Sequence, residues 1–229
     1  MVSALTDPAS LAAIALALLA GGMLKGALGL GAPVIAVPVM ASFFDVKLAV
    51  ALMVLPNFTT NVWQLRAFGQ ARLPGRFPWI FAGAGAVGVG LGTLMLVWLS
   101  SDTLKLILSG AVLAYIGLRL LSPAFALSSA RANRLAAPMG ALGGVLQGAA
   151  GISAPVSVSF LNAMQLSRRV FIPTISLFFA ATTAVQVPLF LGMRIGGWLA
   201  KSISARSFDR LILLMLAALT VKLSTDALF

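Results

Sequence analysis

Cysteine, histidine and glutamate are absent from this 229-residue chain, and aspartate occurs only five times, at Asp7, Asp45, Asp102, Asp209 and Asp226. Without cysteine there is no disulfide and no thiol chemistry. Each aspartate stands at the edge of an apolar run, so neither a metal centre nor a carboxylate-pair enzyme has side chains to be built from. The expectation is a protein that is no enzyme and needs no cofactor. Charge of either sign is scarce: 9% of residues are charged, against about a quarter in a soluble domain.

What remains is apolar. Hydrophobic residues make up 60% of the chain and the mean hydropathy is +1.05. A chain of this kind cannot cover itself with polar groups in water, and its long uncharged runs are expected to cross a bilayer as helices of roughly 20 residues. The net charge of +11 would suggest nucleic acid in a soluble protein. Here the basic residues flank apolar runs, as they do when they set membrane orientation, and no nucleic-acid role is expected. The amino-terminal run differs from a secretion signal: Met1–Ser10 carries no basic residue and the apolar run continues past Gly29, so it is read as mature structure. No polar linker divides the chain, which is read as one domain over residues 1–229.

Along the chain the pattern predicts an all-α, polytopic membrane bundle of about seven spans. The first stretch, Ala9–Phe44, is too long for one span and holds Lys25, Gly26, Gly29, Gly31 and Pro33. Helices break at such residues, so two pieces are expected, Ala9–Leu24 and Pro33–Phe43, with Pro33 in the first turn of the second. Spans follow at Leu48–Phe68, Phe77–Leu99 and Thr103–Leu121. The stretch Leu135–Leu166 is again broken, at Gly148 and Gly151, with Pro155 after them. A span at Val170–Leu191, an interfacial or half-inserted helix at Gly192–Ser207 and a last span at Phe208–Leu223 complete the reading. Gly83, Gly85, Gly88, Gly90 and Gly92 are read as a close-packing helix face, and Trp79, Trp98 and Trp198 as anchors near span ends, with Trp63 the exception because it is close to the polar cluster.

A repeat underlies this pattern. Shifted by 122 positions, GGMLKGALGLGAPV falls on GGVLQGAAGISAPV, with nine of fourteen positions identical. Lys25 then meets Gln147, Gly31 meets Ser153, Thr60 meets Thr182 and Gln64 meets Gln186. Repeat one covers about 9–121 and repeat two about 135–226. The basic loops Arg66–Arg76 and Arg119–Arg134 are expected in the cytoplasm, which makes the two copies enter from opposite faces. Inverted repeats with broken helices are the layout of many secondary transporters. The basic Gly192–Ser207 segment falls on the outer side in this scheme, against the charge rule, and repeat two lacks a full counterpart of the third span.

A broken helix exposes backbone N–H groups and the positive end of its dipole, where an anion binds, and glycine lets a ligand come close. The candidate binding residues are therefore Gly29, Gly31, Ala32 and Pro33 in the first copy and Gly151, Ser153, Ala154 and Pro155 in the second, with Lys25 and Gln147 before them. Asn57, Thr60, Asn61, Gln64, Thr182 and Gln186 either line the same cavity or hold helices together by hydrogen bonds. Lys25 either faces a bound anion, snorkels to an interface, or pairs with a group elsewhere in the chain. With no intramembrane Asp, Glu or His to carry a proton, the substrate brings its own proton, or flux runs by gradient or exchange. Sodium held by backbone carbonyls stays open.

The segment GALGLGAPVIAVPVM, its echo GAAGISAPVSVSFL and the all-helical halves resemble the sulfite exporter TauE/SafE family, also called TSUP. The family pattern is a glycine-rich GxxGxGGG…P in each half. Here Ala32 and Pro33 stand for two of the glycines, and Ser153 and Ala154 for two in the second copy. The resemblance implies a multi-pass protein of the cytoplasmic (inner) membrane that moves sulfite, an organosulfonate or a related small sulfur oxoanion. Its partners would be that anion and the lipid bilayer, with self-association left open. A passive channel for an anion or small solute is the alternative, and a scaffold subunit without transport is a third reading.

Overall fold

The computed structural model describes residues 7–29, 32–121 and 126–202, and among these every regular element is helical. The helices are α1 (Pro8–Leu28), α2 (Pro33–Phe43), α3 (Val46–Phe68), α4 (Phe77–Trp98), α5 (Ser101–Leu121), α6 (Ser129–Ala150), α7 (Ser157–Ala163) and α8 (Arg168–Ser202), with a 3₁₀ turn at Gly69–Ala71 after α3. Residues 1–189 form one compact unit and residues 190–229 another. Four helical stretches are long and apolar enough to cross a membrane, Pro8–Ala27, Val46–Ala71, Phe77–Trp98 and Arg168–Gly192. The seven spans expected from sequence thus stand at four among the described residues. The expected last span, Phe208–Leu223, lies outside them.

Local chemistry sets several boundaries. Asp7 caps α1 by accepting from the Ala9 and Ser10 amides, and the Ser10 hydroxyl and amide hold its carboxyl below the usual range. Asp45 caps α3 by accepting from the Lys47 amide. The Ser101 hydroxyl also donates to Asp45, which holds that carboxyl below the usual range. Lys47 Nζ reaches the Val97 carbonyl at 3.1 Å, tying the start of α3 to the α4–α5 turn.

The tightest packing joins α4 to α6. A Cβ on Gly88, Gly92, Gly140, Gly144 or Gly148 would overlap the facing backbone, and Gly85 makes room for the Phe178 ring. Phe81 meets Gly140, Gly85 meets Gly144 and Val89 meets Gly148, so the two helices run side by side in one direction. Small residues allow such close approach between membrane helices. Of the glycine run read as a packing face, Gly85, Gly88 and Gly92 serve it, whereas Gly83 and Gly90 have nothing within 4 Å. Phe77, Phe81, Phe160 and Phe178 fill the adjoining core, with Phe81 and Phe178 stacked at 4.6 Å.

Leu73, Pro74, Phe77, Ser129, Asn133, Met164 and Leu166 surround one hollow. The loop after α3, the start of α6 and the end of α7 therefore share one end of the bundle. The basic residues flanking these segments, Arg72, Arg76, Arg131, Arg134, Arg168 and Arg169, are exposed.

Two boundary expectations change. The second half-helix was expected to start around Ser153–Val156, but α7 begins at Ser157 and has seven residues. Ser153 and Pro155 instead belong to a turn, in which the Ser153 carbonyl accepts from the amides of Val156 and Ser157. Gly192 does not begin a separate interfacial helix, because α8 continues through it to Ser202. Glycine inside a helix costs only about 1 kcal/mol relative to alanine, which flanking helix formers offset.

Candidate functional site

Both copies of the glycine motif end a long helix in the same way. Gly29 has φ 71° and donates its N–H to the Lys25 carbonyl at 2.9 Å. Gly151 has φ 72° and donates to the Gln147 carbonyl at 3.0 Å. This left-handed conformation costs other L-residues roughly 1–2 kcal/mol, which is why glycine ends the helix at both places. The same two carbonyls each receive a glutamine from a helix 39 positions on. Gln64 Nε2 donates to the Lys25 carbonyl at 3.1 Å, and Gln186 Nε2 to the Gln147 carbonyl at 3.4 Å.

The motif glycines also pack reciprocally. A Cβ on Gly29 would meet Ile172 Cγ1 at 2.7 Å, and one on Gly151 would meet Val50 Cγ2 at 3.0 Å. Ile172 is Val50 moved by 122 positions, so the glycine of each copy rests on the matching residue of the other.

Lys25 is 3% exposed, which removes the snorkelling alternative. Its Nζ donates to Asn61 Oδ1 at 2.8 Å and lies 5.6 Å from the centroid of the Phe179 ring. Asn61 Nδ2 in turn donates to Asn57 Oδ1 at 2.9 Å and to the Asn57 carbonyl at 2.6 Å. Among the described residues the ion pair found is on the surface, between Lys105 and Asp102 at 3.4 Å. The Lys25 ammonium therefore has an amide and an aromatic face beside it, and no carboxylate among those residues. Gln64 is satisfied at both ends, since its Oε1 accepts from the Ser176 hydroxyl at 2.9 Å.

Lys25, Ala32, Thr60 and Gln64 line a half-open, almost wholly apolar hollow of about 390 Å³, together with Leu18, Gly22, Gly26, Met53, Pro56 and Trp63. Asn57 and Asn61 lie behind this wall, fully buried. Pro33 is buried at the first position of α2, after Ala32, and Gly31 lies outside the described residues. The second-copy candidates do not join this wall. Gln147, Gly151, Ser153, Ala154, Pro155, Thr182 and Gln186 are all buried in the packed interior. The Ser153 hydroxyl lies 2.9 Å from that of Ser157, which also donates to the Ser153 carbonyl. Thr60 and Thr182 spend their protons on carbonyls of their own helices, Pro56 at 2.7 Å and Phe178 at 3.0 Å.

Three participants were not among the sequence candidates. Phe179 is the counterpart of Asn57 in the 122-residue register, so the repeat itself held the signal. Trp63 lies near the polar cluster and is 63% exposed on the cavity wall. Ser176 has Val54 as its counterpart and carried no signal. Among the described residues there is no cluster of three or more metal-ligating acids.

A family model described as Sulfite exporter TauE/SafE matches residues 13–191. No curated protein and no solved structure matches the chain.

Proposed function

The chain belongs to the sulfite exporter TauE/SafE family, a family of membrane transporters, and on that premise we propose that it is a secondary carrier of a small sulfur oxoanion. It works as a single transporter domain in the cytoplasmic membrane, with the anion bound beside Lys25. The observation that carries this reading is the Lys25 ammonium, buried and without a carboxylate neighbour among the described residues. A buried cation inside a membrane costs several kcal/mol unless compensated, and an anion in the adjoining cavity supplies the compensation. Asn61 orients the ammonium, and the Phe179 ring face adds a further favourable contact. The second broken helix is the weaker arm of the cradle. Its helix is short, and the amides of Val156, Ser157 and Ser159 already donate to the Ser153 and Ala154 carbonyls.

Alternating access by two inverted halves is supported by the twin glycine caps, the paired glutamine bonds and the reciprocal Gly29–Ile172 and Gly151–Val50 contacts. Contacts of the i-to-j and j-to-i kind are the mark of two-fold related partners. Uptake of radiolabelled sulfite into liposomes tests the reading. A carrier gives saturable flux that trapped sulfite on the far side stimulates; linear, conductive flux would make the protein a channel, and no flux of any sulfur anion would refute transport.

A further inference from the structure

The face by which α6 holds α4 has a twin on α1 that holds no helix among the described residues. On α6 the residues that meet the α4 backbone are Gly140, Ala141, Gly144, Val145 and Gly148, and the three glycines are buried there. Moved by 122 positions, these five fall on Leu18, Leu19, Gly22, Met23 and Gly26. All five are exposed, Leu19 at 62% and Met23 at 67%. A Cβ on Gly22 or Gly26 would meet nothing within 4 Å.

What such a face does is visible within the same molecule. Gly144 and Gly148 of α6 are a GxxxG pair, and the helix they hold carries its own, Gly88 and Gly92. The two helices run in one direction at backbone distance, as small residues permit. Gly22 and Gly26 are the same pair on α1, in an apolar helix long enough to cross a membrane, which is the setting of a helix-dimer motif. With Leu18 they also line the half-open apolar hollow whose far wall is Met53, Pro56 and Trp63, so the face is a groove and not a smooth side. Other glycines with open space stand two turns apart, Gly83 and Gly90 on α4 and Gly110 and Gly117 on α5. The exposed side chains of Val87 and Leu113 stand between them and keep a second backbone away.

We propose that this face of α1 is where two molecules of the chain meet, the Gly22–Gly26 groove of one packing on the same groove of the other. Molecules inserted in the membrane in the same sense are related by a twofold axis along its normal, which sets their α1 helices parallel, as α4 and α6 are. A face that meets its own copy is the isologous contact that closes such a dimer. Leu18 and Leu19 are larger than their counterparts Gly140 and Ala141, so the pair splays toward the start of α1 and comes closest at Gly22 and Gly26. Because Leu18, Gly22 and Gly26 also wall the hollow beside Lys25, the second molecule shields that hollow from lipid. This consequence rests on the anion-carrier reading above; the contact itself does not.

The chain has no cysteine, so a single introduced one forms a disulfide only with another molecule, and only where two helices are in direct contact. Leu19→Cys and Met23→Cys lie on the proposed face. Leu106→Cys and Leu113→Cys, at positions 74% and 69% exposed on α5, lie off it. Oxidation of the full-length protein in membranes with copper–phenanthroline should give a covalent dimer from the α1 variants and none from the α5 variants. Adding Gly22→Leu and Gly26→Leu to Met23→Cys should abolish that dimer. Both leucines find open space in the single molecule and replace a residue that weakens helices, so an unlowered melting temperature shows that the loss is one of contact and not of folding. Equal cross-linking from α1 and α5 is random collision and overturns the inference, as does a dimer that survives both leucines. Absence of any α1 cross-link overturns it as well, and gives the face to a lipid chain or to another helix of the same chain. None of these outcomes involves sulfite, so flux in liposomes decides the carrier reading separately.

Discussion

In the first copy of the motif, Lys25, Asn61 and Asn57 form a buried chain headed by a cation, and Gln64 is bonded at both ends. In the second copy the same positions are Gln147, Thr183, Phe179 and Gln186. There the charge is gone and two amide oxygens lack partners among the described residues. The backbone has been kept, with matching left-handed glycines and matching glutamine-to-carbonyl bonds, while the side chains have diverged. The difference teaches that backbone geometry alone does not make the binding site. The proposed anion site needs the Lys25 cation as well, and the second copy has Gln147 at that position.

The comparison can be strained first at the glycines. Gly29→Val adds about 1–2 kcal/mol of backbone strain and about 1–3 kcal/mol of overpacking against Ile172. Gly151→Val carries the same strain but meets the side chain of Val50 at a longer 3.0 Å. Thermal unfolding in detergent should show the Gly29 variant as the less stable of the two, and sulfite flux should be lost in it. Equal melting temperatures would mean that the two breaks are packed alike.

A smaller effect separates the glutamines. Gln64→Leu strands the Ser176 hydroxyl and removes two buried bonds, which should cost about 1–3 kcal/mol. Gln186→Leu removes one long bond, and the Gln147 carbonyl it served keeps the Gly151 N–H at 3.0 Å, so the cost should be smaller, about 1 kcal/mol or less. Denaturant titration of the two variants reads the difference directly, and a costlier Gln186 variant would count against the asymmetry described here.

The smallest effect lies at the turn end of the bundle. Asp45 is held below the ordinary carboxylate range chiefly by the Ser101 hydroxyl. A lowered folded-state value means that this capping contribution is present above the unfolded pKa and lost as pH falls through the folded one. Asp45→Asn should therefore melt slightly lower at neutral pH and show a flatter acid limb than the native protein. An identical acid limb in the variant would remove Asp45 from the pH response.

Much of this was legible in the residues. The pieces of the first hairpin, and the ends of α3 and α4, follow from glycine, proline and basic punctuation, and Pro33 begins α2 as its fixed φ suggests. Lys25 stood out because a lysine inside an apolar run needs a reason. Two things resisted. Pro155 resembles Pro33 in sequence, yet Ser153 folds a tight turn around it and delays α7 to Ser157, which is local hydrogen bonding that the motif alignment ignores. The cavity wall was also hidden. Met53, Pro56 and Thr60 share a helix face, but which helix stands opposite them depends on tertiary packing. The placing of Phe179 against Lys25 could have been read only by carrying the 122-residue register beyond the motif itself.

The most direct test replaces Lys25 by the residue that its own counterpart uses. Lys25→Gln makes the two copies alike at the head of the chain and removes a buried charge, so the variant should fold at least as well as the native protein. Sulfite should raise the melting temperature of the native protein, and this stabilisation by ligand should vanish in Lys25→Gln. If sulfite stabilises the variant as much as the native protein, the anion is not held by Lys25, and the account of the site fails.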